Sequence, residues 1–134
     1  MERSVLVESV NDFIFRNTAG ILEINKQSVF SLEEKKQFIM DIFNNYPIGE
    51  IILTASINED TGRIKYKVLN GNKRLNAIFE FCKNEFSIEG IGEDLIFSDL
   101  TKNHKNMVKF FLQYKIPVEI IYNETEEELK KIIK

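Results

Sequence analysis

The chain has 134 residues, 43% of them apolar, which is enough for one domain with a real core. A net charge of −3 and a pI near 5.3 argue against a general nucleic-acid coat protein, which would be basic. The single cysteine, Cys82, excludes an internal disulfide framework and suits a reducing, cytoplasmic setting. No apolar run approaches membrane-spanning length. The opening Met1-Glu2-Arg3-Ser4 leads into a stretch broken by Glu8, Asn11 and Asp12, not into a signal sequence.

In chain order, Ser4 to Phe15 carries Leu6, Val10, Phe13 and Ile14 at helical spacing. It predicts a first helix with Ser4 as N-cap, ended by Asn17-Thr18-Ala19-Gly20. Ile21 to Ile24 reads as a short strand. Ser31-Leu32-Glu33-Glu34 is a capping box that opens a second helix. Its buried stripe is expected at Leu32, Ile39, Ile42, Phe43 and Tyr46, with Asn44 to Pro47 as the stop. Glu50 to Ile57 and Arg63 to Leu69 are β-rich runs joined by the hairpin signal Asn58-Glu59-Asp60-Thr61-Gly62. On the second run Arg63, Lys65 and Lys67 share one face, either as a solvated strand surface or as an extension of a positive field.

Tyr66 to Cys82 then runs from strand end to helix. Leu75, Ile78, Phe79 and Cys82 recur at helical spacing, and Asn70, Gly71, Asn72, Lys73 and Arg74 stand at the junction. A tight turn with glycine leaves backbone N–H groups unpaired at the helix start. Two readings are open: a phosphate cradle built from those amides with Lys73 and Arg74, or a plain change of direction. The spacing is not that of a Walker loop, and Gly71 lacks the further glycines of the dinucleotide fingerprint. Farther on, Phe86 to Ile96 reads as a small hairpin around Glu89-Gly90-Ile91-Gly92. Ser98 to Thr101 leads into a helix over about Lys105 to Tyr114. Ile116 to Tyr122 reads as a strand with Pro117 at its start, and Glu124 to Lys134 as a helix with acids first and lysines last.

The Y-x-V-x-x-G-x-x-R-x-x-A pattern from Tyr66 to Ala77 is similar to the phosphate-binding box of ParB-like and sulfiredoxin-like domains. More closely, LNGNKRLNAIFEF resembles the I-D-G-Q-Q-R-L-T-A-L-x-x-F motif of the N-terminal domain of GmrSD-type modification-dependent restriction enzymes. Ile24-Asn25-Lys26 with Val29-Phe30-Ser31 resembles that family's Y-Q-R-x-x-V-W-S segment. Tyr46-Pro47-Ile48 with Ile51-Ile52-Leu53 resembles its P-I-P-x-x-x-L segment. The likeness covers roughly residues 24 to 122.

The resemblance implies an α+β, ParB/sulfiredoxin-like fold, a small mixed sheet surrounded by helices, as a single domain over residues 1–134. The chain would be a naturally short or truncated form of the family. It implies a nucleotide-phosphate-binding domain of a restriction or phage-defence system, binding NTP with Mg²⁺. Asn70, Gly71, Asn72, Lys73 and Arg74 would hold phosphates, with Asn25 and Lys26 facing them. The family motif has Asp, Gln, Gln where this chain has Asn70, Asn72 and Lys73. Asn70 can hydrogen-bond but cannot serve as an anionic metal ligand or base, so binding carries over better than hydrolysis. Two alternatives accompany this reading. One is a DNA-binding or nuclease component acting with a partner domain or separate subunit, and the other is a degenerate protein-interaction module.

Other chemistry is thin. His104, the one histidine, reads as a surface residue, and one His with one Cys cannot build a zinc site. Cys82 falls on the apolar stripe of its helix, away from the glycine turn, which argues against sulfiredoxin-type chemistry. Asp41, Glu50, Asp60 and Asp99 are candidate acids for Mg²⁺, but no spacing joins any two of them. No catalytic residue and no metal site is assigned.

Overall fold

The computed structural model describes residues 2–122, and the helix expected over Glu124 to Lys134 lies outside them. The described chain runs β1 (Glu2–Ser9), α1 (Val10–Thr18), β2 (Leu22–Glu23), α2 (Leu32–Phe43), β3 (Ile51–Ile57) and β4 (Ile64–Asn70). It continues with α3 (Asn72–Cys82), β5 (Ile88–Glu89), β6 (Asp94–Leu95), α4 (Phe97–Asn103), α5 (Lys105–Gln113) and β7 (Lys115–Tyr122). Five strands form a mixed sheet in the order β1-β7-β3-β4-β2, and β5 pairs with β6 in a separate hairpin. The fold is α+β, as the sequence predicts.

The N-terminal segment departs from that prediction. Residues 2–9 are a strand, paired antiparallel with β7 at eight positions from Glu2↔Tyr122 to Ser9↔Lys115. The helix begins only at Val10. Its N-cap is Ser9, not Ser4: the Ser9 hydroxyl accepts from the Asp12 amide, and the Asp12 carboxylate accepts from the Ser9 amide. Leu6, Val10 and Phe13 fall at helical spacing by coincidence. The β-branched Val5 and Val7, alternating with Ser4, Leu6 and Glu8, carry the strand.

The second helix has the capping box expected of it, with Ser31 Oγ accepting from the Glu34 amide and Glu34 accepting from the Ser31 amide. Its stripe is shifted: Phe38, Ile39 and Ile42 are buried, while Leu32 and Tyr46 are more than half exposed. The lead-in at Ser98 is itself helical, as α4, with Asp99 Oδ2 accepting from the Ile96 amide. Pro117 is the third residue of β7, inside the sheet, and not its first. Its ring nitrogen costs no ladder bond, because β3 begins pairing with β7 only at Ile51↔Val118.

The core lies between the sheet and one helical layer. Ile51, Leu53 and Ala55 of β3 and Ile116, Val118 and Ile120 of β7 share one core cluster with buried residues of α1, α2, α3 and α5. Phe81 is fully buried, with ring centroids 5.6–6.3 Å from Phe43, Phe86, Phe97 and Phe111. Truncating such a ring to alanine costs about 3–5 kcal/mol. Helix α3 is the centre of this packing, which fixes the position of its first turn. Among the described residues, no helix is long and apolar enough to cross a membrane.

Candidate functional site

Strand β4 ends at Asn70, and Gly71 turns the chain into α3 with φ 118° and ψ 13°. That is left-handed space, where a β-carbon is strained. Gly71 is the N-cap and offers no side-chain oxygen. The Leu75 amide closes the first turn on the Gly71 carbonyl at 2.9 Å, and the amides before it have no side-chain cap.

Arg74 is held from below. Its Nη1 donates to the Ile48 carbonyl at 2.9 Å and its Nη2 to the Glu50 carbonyl at 3.0 Å. Asn70 Nδ2 donates to the same Glu50 carbonyl at 3.1 Å. The guanidinium is half buried, and burial pulls its pKa below the ordinary arginine value. Gly49, at φ 87°, leaves it room, since a β-carbon there would lie 3.0 Å from Arg74 Nη1. Two of the five guanidinium N–H groups meet these carbonyls, and the other three have no partner among the described residues.

Asn70, Gly71, Asn72, Lys73 and Arg74 converge on one cleft of about 340 Å³, completed by Ser28, Phe30 and Leu69. Asn25 and Lys26 lie beside this cleft and not among its lining residues. The Asn25 amide donates to Asn72 Oδ1 at 2.8 Å, and Asn76 Nδ2 donates to the Asn25 and Ser28 carbonyls at 2.9 and 2.8 Å. These bonds clamp the 25–28 turn to α3, and they satisfy Asn76, which is buried. Lys26 is exposed in that turn. Lys73 is close enough to α2 to help hold the Glu34 carboxyl below its ordinary range, after the larger effect of the bonds from Ser31.

Ser28, Phe30 and Gly49 are parts of the site that pattern reading missed. Gly49 follows Pro47-Ile48, a turn signal that marks a bend but not its neighbour. Ser28 and Phe30 reach the cleft only because Asn76 anchors their loop.

A larger cleft of about 540 Å³ lies under the β5–β6 hairpin, lined by apolar residues including Met40, Phe43 and Met107, with His104 at the α4–α5 junction. Its lining has none of the cationic and amide groups of the Gly71 turn. Cys82, at the far end of α3, has its thiol pushed up to about 12 by burial. Among the described residues, no three His, Cys, Asp or Glu side chains converge as a metal site.

The family model described as the GmrSD restriction endonuclease N-terminal domain matches residues 23–134, from β2 onward, with the Gly71 turn inside the match. No curated protein and no solved structure matches the chain. A match over most of the length shows the family: the chain belongs to the GmrSD restriction endonuclease N-terminal domain family.

Proposed function

We propose that this domain binds a nucleoside triphosphate by its phosphates at the β4–α3 turn, as the nucleotide-binding part of a restriction or phage-defence system. The observation that carries this is the first turn of α3. The left-handed Gly71, the uncapped amides after it, Lys73 and the half-buried Arg74 share one cleft. Amides at a helix start and two cations favour a polyanion. The cleft of about 340 Å³ suits a phosphate chain more than a whole nucleotide, so base and sugar extend toward the exposed 25–28 turn, where Asn25 and Lys26 stand.

In this reading Mg²⁺, where it accompanies the nucleotide, neutralises phosphate charge. The chain's own contribution is binding and orientation. Asn70, tied to the Glu50 carbonyl, is neutral, and Lys73 adds positive charge beside it. Binding therefore needs little Mg²⁺, and hydrolysis is slow or absent.

The test is calorimetric titration with each of the four NTPs, in Mg²⁺ and in chelator, with phosphate release followed in parallel. Binding of similar strength in both media, with negligible release, is expected. No binding of any NTP in either medium would remove this reading.

A second reading, DNA contact in company with a partner subunit, is favoured by the exposed row Arg63, Lys65 and Lys67. It predicts duplex binding that falls steeply with salt and is weakened by charge removal on that row.

A further inference from the structure

β1 is the terminal strand of the sheet, and among the described residues its outer edge has no partner. It is eight residues long, pairs with β7 without a bulge and contains no proline. Those are the features of an edge that accepts another strand. Its apolar side chains on the face away from the helices, Val5 and Val7, are 77% and 65% exposed.

The hydrogen-bond pattern shows which groups the edge offers. The Val10 amide donates to the Tyr114 carbonyl at 3.1 Å, in step with the β1–β7 register. Backbone groups alternate in direction along an antiparallel strand, so Glu8, Leu6 and Ser4 also bond toward β7. Arg3, Val5, Val7 and Ser9 therefore point their N–H and C=O groups outward. The Ser9 amide is already taken by the Asp12 carboxylate at 2.8 Å. Among the described residues, Arg3, Val5 and Val7 are left as three free donor–acceptor pairs.

We infer that two copies of this chain pair β1 to β1 antiparallel about a two-fold axis at Val5. In that register Val5 faces Val5 of the second copy, and Arg3 faces Val7 in both directions. All three free residues on each chain are satisfied, giving six N–H···O bonds, and the occupied Ser9 amide is not needed. Shifting the register by two residues toward Ser9 would require that amide. The edge charges do not oppose the pairing. Arg3 pairs with Glu119 of its own chain, and Glu8, which meets Glu2 of the second copy, is neutralised from within by Arg16 at 2.7 Å. The occupant is a second copy because this register is self-complementary.

The result is one continuous ten-stranded sheet. The two β4 strands stand seven strand spacings apart, about 34 Å at about 4.8 Å each, so both Gly71 clefts stay open.

The experiment is sedimentation velocity of the full chain from low micromolar to submillimolar concentration, with two variants that leave the β7 ladder intact. Val5→Lys sets like charges opposite each other at the axis. Val5→Pro removes an N–H that points only outward. The unaltered chain is expected to show a concentration-dependent dimer, and both variants to associate at least about tenfold more weakly, with an unchanged thermal transition at concentrations where the unaltered chain is monomeric. In a Cys82→Ser background, Val5→Cys is expected to oxidise to a covalent dimer faster than Val7→Cys, whose opposite residue is Arg3. A chain that stays monomeric throughout, a dimer that both variants leave intact, or faster crosslinking through Val7→Cys would overturn the inference.

Discussion

A β-carbon built on Gly71 would stand 2.3 Å from Ile51 Cδ1, and Ile51 is fully buried in β3. The turn therefore holds glycine for two separate reasons: left-handed backbone, and direct contact with the core beneath.

From this follows the first expectation. Gly71→Ala must pay for positive φ and for displacing Ile51, a cost of about 1–3 kcal/mol for the backbone alone. The thermal transition falls, and phosphate affinity falls with it because the α3 amides are re-aimed. Gly71→Val should be worse on both counts. An unchanged melting temperature for Gly71→Ala would contradict the geometry.

Arg74→Ala is expected to weaken nucleotide binding and also to lower stability by about 1–3 kcal/mol, since the guanidinium joins the Ile48 and Glu50 carbonyls to α3. Arg74→Lys separates the two roles. It keeps the charge but lacks the planar fork that meets the Ile48 and Glu50 carbonyls from two separate nitrogens. Chemical denaturation and calorimetry on both variants should show the lysine form losing less affinity than the alanine form, with a stability loss in both.

The sequence was most informative where the relevant residues are neighbours in the chain. The Ser31–Glu34 capping box is complete within four residues. The strand–glycine–helix turn at Asn70 to Arg74 needs no partner to be seen. Neither applies to β1. Its strand character depends on β7, more than a hundred residues away in sequence, while Leu6, Val10 and Phe13 mimic a helical stripe. The same holds within the site. The anchoring of Arg74 is not visible in its own stretch of chain, because its carbonyl partners at Ile48 and Glu50 stand in the loop before β3. Ser28 and Phe30 join the cleft, and Gly49 meets Arg74, only through tertiary contacts.

The capping box of α2 has a pH signature. The bonds from Ser31 hold the Glu34 carboxyl below its ordinary value. A depressed folded pKa contributes stability above the unfolded value, and that contribution is lost as pH falls through the folded value. Ser31→Ala removes the hydroxyl but keeps the amide of residue 31 that donates to Glu34, so the Glu34 titration, followed by NMR, should move only part of the way toward the ordinary carboxyl range. It should also flatten the loss of α2 stability on acidification. An unmoved Glu34 titration would mean that the Ser31 hydroxyl contributes nothing and that the backbone amide of residue 31 alone sets it.

The last expectation concerns Asn70. Its Nδ2 and Arg74 Nη2 donate to one acceptor, the Glu50 carbonyl. Asn70→Asp turns a donor into an anion facing that carbonyl, so the new carboxylate must rotate away, either toward Arg74 or toward the cleft. Toward Arg74 it would draw off N–H groups that a phosphate needs. Toward the cleft it would repel phosphate directly. In both cases a divalent cation between carboxylate and phosphate relieves the conflict. Asn70→Asp should therefore bind nucleotide poorly in chelator and recover in Mg²⁺, whereas the unaltered chain binds similarly in both. Titrations of the two proteins in the two media give the comparison, and phosphate release under the same conditions shows whether the carboxylate also brings turnover. Equal Mg²⁺ dependence in both proteins would place Asn70 outside the phosphate site. Brisk Mg²⁺-dependent turnover by the unaltered chain would instead transfer the metal-binding role to another acid, with Glu50, whose carbonyl already anchors the turn, the first to substitute.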